Sequence, residues 1–186
     1  AQRSHETRTR RCRERFGEGA RGGKSTYRCA VSMRADVVDT GHKYRRAGKI
    51  VIHAPIQKIF DIIADPYRHH QFDGSGTVTA CTFGPQRLEQ GAQFGMDMRI
   101  VVPYRIKNTV MEFDEPSRIA WRHLGHHRWR YELRSIDATT TEVTETFDGS
   151  TARFPPALEL MNAYDNNQKA IVKTLARLKE IAESNE

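Results

Sequence analysis

The residues best suited to chemistry are one carboxylate and a run of rings. Glu145 lies in "VTETFDGS", and residues 118–133, "RIAWRHLGHHRWRYEL", hold two Trp, one Tyr and three His in sixteen positions. A carboxylate between Val143 and Phe147 on an apolar strand face is costly unless it is hydrogen-bonded or protonated. Two roles follow for Glu145. It is a structural acid bonded to Tyr131 or water, or it anchors a ligand hydroxyl and acts as a catalytic general acid/base with a raised pKa. Asn108 is a second polar anchor open to the same two readings. The histidines raise the question of a metal, since two His and a carboxylate form a known ligand set. Spacing opposes it: His127 and Glu145 fall about four residues apart along paired strands, roughly 13 Å at ~3.3 Å per residue. His123 and His127 are expected at the mouth of a hairpin and His126 in its turn, while His69 and His70 read as an exposed pair. No metal site is expected. With no P-loop, nucleophile elbow or dinucleotide fingerprint, no cofactor is expected either.

Strand alternation sorts these residues into faces. Ile119, Trp121 and His123 share parity, as do His127, Trp129, Tyr131 and Leu133; Arg122, Arg128, Arg130 and Arg134 take the other. The two strands agree if the turn between them has an odd number of residues. A three-residue loop, Leu124-Gly125-His126 with Gly125 at positive φ, sets Trp121 opposite Trp129 and Ile119 opposite Tyr131. A three-residue turn at 137–139 then sets Phe147 opposite Trp129 and Glu145 opposite Tyr131. The outer face carries Arg128, Arg130 and Arg134 with Glu142 and Asp148, a solvated ladder of ion pairs in preference to an anion site. Phe94, Met96, Met98 and Ile100 form another inward row, as do Tyr104, Ile106, Asn108 and Val110. Met suits a wall that fits varied ligands, and an ordinary core equally.

The elements that position these faces begin at Lys49. "KIVIHA" reads as a strand, and Ile56, Ile59, Phe60 and Ile63 have helical spacing after Pro55. Pro66 ends that helix and starts a short second one. Six alternating segments follow, at 76–83, 91–102, 104–114, 117–124, 127–136 and 140–148, with short links that argue for an antiparallel meander. From Pro155 a single long helix carries Ala157, Met161, Tyr164, Ile171, Leu175 and Leu178 in one stripe. The order β-α-α-β6-α gives an α+β fold, a curved antiparallel sheet of about seven strands wrapped around the C-terminal helix.

Charge divides the chain. Residues 1–49 hold 14 Lys and Arg against 5 Asp and Glu, whereas 50–186 hold 16 against 18. All the excess of the net +7 therefore sits in the first quarter. Residues 1–48 have few apolar side chains and no period, so disorder is expected there, with the domain at 49–186. An extension without function, with Met33 or a nearby Val as the true start, is preferred. A nucleic-acid-binding arm built on Arg8, Arg10, Arg11, Arg13 and Arg15 is the lesser alternative, and targeting is disfavoured by the acids present. Cys12, Cys29 and Cys81 have no metal-type spacing. No run approaches the ~18 apolar residues of a membrane span, and a cytoplasmic protein is expected.

In this order of elements, "HAPIQKIFDIIADPYRHHQFD" and the long last helix resemble the helix-grip proteins of the START-like or SRPBCC superfamily. "RIAWRHLGHHRWRYEL" and "VTETFDGS" look most like its polyketide cyclase/dehydrase-like branch. The resemblance covers roughly 50–186. Where the family often has Pro-x-Trp, this chain has His70-Gln71-Phe72, which keeps the apolar anchor as Phe72. The resemblance implies a cavity between sheet and helix that takes an aromatic, polyketide or lipid-like molecule. Its lining would be Met96, Met98, Asn108, Trp121, His123, His127, Trp129, Tyr131, Phe147, Met161 and Tyr164. A binding or carrier protein and a cofactor-independent cyclase or dehydratase using Glu145 are both compatible with it. Oligomeric state is left open.

Overall fold

Period-two alternation builds eight strands, and helical spacing builds the helices that cover them, in the computed structural model, which describes residues 34–184. The strands are β1 (Asp36–Val38), β2 (Arg45–Ile52), β3 (Val78–Phe83), β4 (Gln93–Arg99), β5 (Pro103–Asp114), β6 (Arg118–Arg122), β7 (Arg128–Asp137) and β8 (Thr140–Asp148). They form one antiparallel sheet in the order β1-β2-β8-β7-β6-β5-β4-β3. Helices α1 (Ile56–Ala64) and α2 (His69–Phe72) lie between β2 and β3, and α3 (Pro155–Leu160) and α4 (Ala163–Glu183) follow β8. This is the expected α+β fold, with the sheet gripping a long C-terminal helix.

The core sits where the apolar faces meet. Ile59, Phe60 and Ile63 of α1, Ile171, Leu175 and Leu178 of α4, and Ile52, Val143 and Phe147 of the sheet are all buried. Close approach of α4 depends on two glycines. A Cβ on Gly48 in β2 would stand 2.8 Å from Ile171 Cγ2 and 3.3 Å from Leu175 Cδ1. A Cβ on Gly74, after α2, would collide with the backbone of α4 at Ala170 and Thr174, and the Gly74 N–H donates to Thr174 Oγ1 at 2.8 Å. At its far end α4 is latched by Lys179, a buried ammonium that donates to the Val51 carbonyl at 2.9 Å and pairs with Glu183.

Several sequence expectations need correction. The sheet begins upstream of Lys49: β1 and the start of β2 lie within the stretch expected to be disordered, and they make the count eight strands instead of seven. The basic residues Arg8 to Arg15, with Cys12, Cys29 and Met33, lie outside the described residues. The turn after β7 has two residues, Ala138 and Thr139, and a bulge at Ile136 supplies the residue that keeps Ser135 opposite Thr141. In the β6–β7 turn it is His126, not Gly125, that takes positive φ (67°). The C-terminal stripe is not one helix. Asn162, at φ 53°, separates α3 from α4, so Met161 is exposed and does not face the core. Asn tolerates this left-handed conformation better than most L-residues.

Replacing Gly74 with Ala is expected to lower unfolding free energy by about 2 kcal/mol or more, because rigid backbone and not a side-chain tip must yield. Urea denaturation followed by circular dichroism measures it, and an unchanged midpoint would show that α4 can back away without loss.

Candidate functional site

Strand register brings the predicted residues together. Trp121 pairs with Trp129 and Ile119 with Tyr131 across β6–β7; Trp129 pairs with Phe147 and Tyr131 with Glu145 across β7–β8. On its other side Glu145 faces Gly48, so the carboxyl lies between a tyrosine and a residue with no side chain. Helix α4 closes over that gap, and Glu145 is 2% exposed. Tyr131 donates its hydroxyl to Glu145 Oε1 at 2.9 Å, while Oε2 is buried with no partner. Burial drives the carboxyl pKa up to about 8 against the opposing Tyr131 hydrogen bond. At neutral pH the group is therefore largely a carboxylic acid. Its free oxygen can donate to, or accept from, one further polar atom.

Around it the rings are in contact. Trp121 and Tyr131 lie 5.6 Å apart between ring centres, Trp129 and Phe147 4.9 Å, and Phe147 and Tyr164 5.8 Å. Met96 and Asn108 are buried on the same side, and Met98 is half-buried. Two clefts of about 380 and 150 Å³ open elsewhere, one beside Lys58, Asp61 and Ile181, the other beside Lys43, Arg46 and Tyr164. The rings of the expected cavity wall thus touch their neighbours along the sheet, and Phe147 also meets Tyr164 of α4. His123 and His127 meet edge to face at 4.1 Å at the end of the hairpin, with His127 against Phe147 at 5.2 Å. His127 Nδ1 is buried and unpartnered, and burial followed by the His123 charge lowers its pKa to about 4. Trp129 and Phe147 separate this pair from Glu145 along the strands.

One interior residue escaped the sequence reading. His69 is buried, not part of an exposed pair: its ring stacks on Trp121 at 4.9 Å and meets Phe94 at 5.6 Å. Its Nε2 lies 2.8 Å from the Ile63 carbonyl, which fixes the proton on that nitrogen. Burial lowers its pKa to about 4. The signal was local, since His69 and Phe72 share one face of a short helix at i,i+3 spacing. Glu112 was also missed. A bulge between Val110 and Glu112 reverses the alternation of β5 and turns Glu112 to the outer face. There it pairs with Arg130 at 2.6 Å, Arg128 at 3.1 Å and Arg118 at 3.6 Å. Arg128 and Arg130 thus bind Glu112 instead of Asp148, which pairs with Arg45; Arg134 does pair with Glu142. Burial would raise the Glu112 pKa, but the arginines outweigh it and hold it down.

No family model matches the chain. The Mycobacterium tuberculosis protein Rv0088 is 36% identical over 151 residues, which span 78% of this chain and 67% of the relative. The chain belongs to the family of Rv0088. Solved structures extend the likeness at the level of fold. A Rhodobacter sphaeroides protein superimposes with a TM-score of 0.62 at 13% identity, over 82% of this chain and 99% of that one. DynU16, a putative protein in the dynemicin biosynthetic locus, does so with a TM-score of 0.55 at 15% identity, over 78% of this chain and 49% of that one. Among the described residues no helix is long and apolar enough to cross a membrane.

Three titratable groups shifted by burial, Glu145, His69 and His127, pull stability in opposite directions with pH. Glu145, raised from 4.5 to about 8, contributes stability that is complete below pH 4.5 and is lost as pH climbs to 8. His69 and His127, lowered from 6.5 to about 4, contribute stability that is complete above pH 6.5 and is lost as pH falls to 4. Of these three, only Glu145 has its window between 6.5 and 8. Unfolding free energy is therefore expected to decline over that window, by up to about 1.4 kcal/mol per pH unit. Glu145→Gln should flatten the slope, as read by chemical denaturation at the two ends. A wild-type profile already flat there would contradict the neutral carboxyl.

Proposed function

We propose that this domain binds an apolar small molecule bearing a hydroxyl or carbonyl between the sheet and α4, as a carrier or binding protein. The observation that carries this reading is Glu145 Oε2, a buried polar atom without a partner in an otherwise aromatic interior. Leaving such an atom unsatisfied costs about 1–3 kcal/mol, and a ligand hydroxyl at that oxygen recovers it. Trp121, Trp129, Tyr131 and Phe147 supply flat apolar contact, and Met96 and Met98 supply adaptable contact. Because Phe147 of the sheet meets Tyr164 of α4, entry on that side requires part of the cover to move. Among the α-helices it is α3 that buries no residue, and it joins α4 through the left-handed Asn162.

A second reading rests on the raised pKa of Glu145. A neutral acid near pH 7, steadied by Tyr131, suits protonation of a carbonyl or of a leaving hydroxyl, as in a cyclase or dehydratase that holds a flexible chain in a reactive fold. The resemblance to polyketide cyclase/dehydrase-like proteins, and the fold shared with a protein of the dynemicin locus, make aromatic polyketides the first class to test. A cytoplasmic location is part of the same proposal.

Native mass spectrometry of the full chain is expected to show a co-purifying small molecule. Glu145→Gln should abolish any turnover while changing affinity for a wholly apolar probe by less than about threefold. Its affinity for the hydroxylated analogue should fall about tenfold, in line with the loss of one buried hydrogen bond. Failure of every apolar probe to bind either protein would end the reading.

A further inference from the structure

The β4–β5 hairpin carries apolar residues where the fold has no use for them. Ile100, Val101 and Val102, which form its turn, are 70%, 85% and 68% exposed. Register shows how far the turn projects. Arg122, the last residue of β6, pairs with Thr109, and Pro103 at the tip lies six residues further along β5. At ~3.3 Å per residue the hairpin runs on for about 20 Å beyond the end of β6, accompanied only by β3. A core cannot account for three consecutive aliphatic side chains at the end of such an arm.

The residues behind the tip are ordered in depth. Exposed Arg99, paired with Pro103, comes first; exposed Tyr104, paired with Met98, is next, then exposed Arg105 opposite Asp97, and Lys107 follows. Arg105 pairs with Asp97 at 2.8 Å, whereas Arg99 has no acidic partner among the described residues. Behind the aliphatic tip a tyrosine therefore lies among three basic residues. An aliphatic tip backed by a tyrosine and basic side chains matches the hydrocarbon of a lipid leaflet bordered by its interface and anionic headgroups, where tyrosines and basic residues collect. A protein partner would more naturally meet a broad patch than a narrow convex finger. The geometry points to the β4–β5 turn as a membrane-docking finger that inserts Ile100, Val101 and Val102 into the surface of an anionic bilayer, with Arg99, Arg105 and Lys107 on the headgroups. This goes beyond the interior site and does not depend on it.

The test uses the full chain with sucrose-loaded vesicles of phosphatidylcholine alone or mixed with phosphatidylglycerol. Wild type is expected to sediment with the anionic vesicles, and Val101→Asp to weaken that binding at least tenfold with an unchanged thermal melt. Val101→Trp is expected to shift its emission to the blue and to be quenched by brominated lipids, above the response of the native tryptophans. The chain's other basic residues could adsorb to vesicles by charge alone. In that case Val101→Asp would bind as wild type does and Trp at 101 would stay unquenched, which overturns the proposal. Absence of vesicle binding by wild type, as expected if the finger serves a protein partner, overturns it equally.

Discussion

Helix α4 can lie on this sheet only because two residues beneath it have no side chain. Gly48 admits Ile171 and Leu175 to β2, and Gly74 lets the connecting segment touch the helix backbone. Everything distinctive about the interior follows from that contact. With the helix this close, water is excluded from the residue next to Gly48 in the ladder, and that residue is Glu145. Its raised pKa, its reliance on Tyr131 and its free second oxygen are consequences of backbone proximity as much as of its own chemistry. A bulkier residue at position 48 would hold the helix away and return Glu145 to solvent and to ordinary acidity.

The two faces of the sheet handle charge differently. Inside, a lone acid is kept neutral and two histidines are kept uncharged by burial. Outside, charges are retained and grouped: three arginines converge on Glu112, which the bulge in β5 brings to that side. Isolated surface pairs contribute little, while a network around one half-buried carboxylate holds neighbouring strands in register. The bulge thus separates the inner arrangement from the outer one along a single strand.

Much of the architecture could be read from periodicity. The six meander strands, the pairing of Tyr131 with Glu145 and the pairing of Trp129 with Phe147 all follow from alternation and turn length. The second of those turns shows how such reading succeeds for an incomplete reason, since a bulge at Ile136 made up for a shorter loop. Where the reading failed, local conformation interrupted a period. Asn162 broke an apparently continuous helical stripe and put Met161 in solvent, and the bulge before Glu112 reversed the alternation of β5. His69 was misplaced because a four-residue helix is too short to display a period, although Phe72 beside it was marked as an anchor. The exposure of Ile100 was hidden because alternation cannot tell where a strand stops being covered.

The strand order carries a consequence for the birth of the protein. Apart from the three-residue β1, strand β2 forms its ladder with β8, and its inner face is covered by α4, so these partners lie more than 80 residues further along the chain. As the polypeptide emerges from the ribosome, Ile50 and Ile52 have no native cover until residues beyond 140 have been made. The local hairpins from β3 to β7 can form meanwhile, leaving an unpaired edge and a naked apolar surface that only the last segments close. Chaperone engagement and co-translational aggregation are thus concentrated in the interval before α4 is complete.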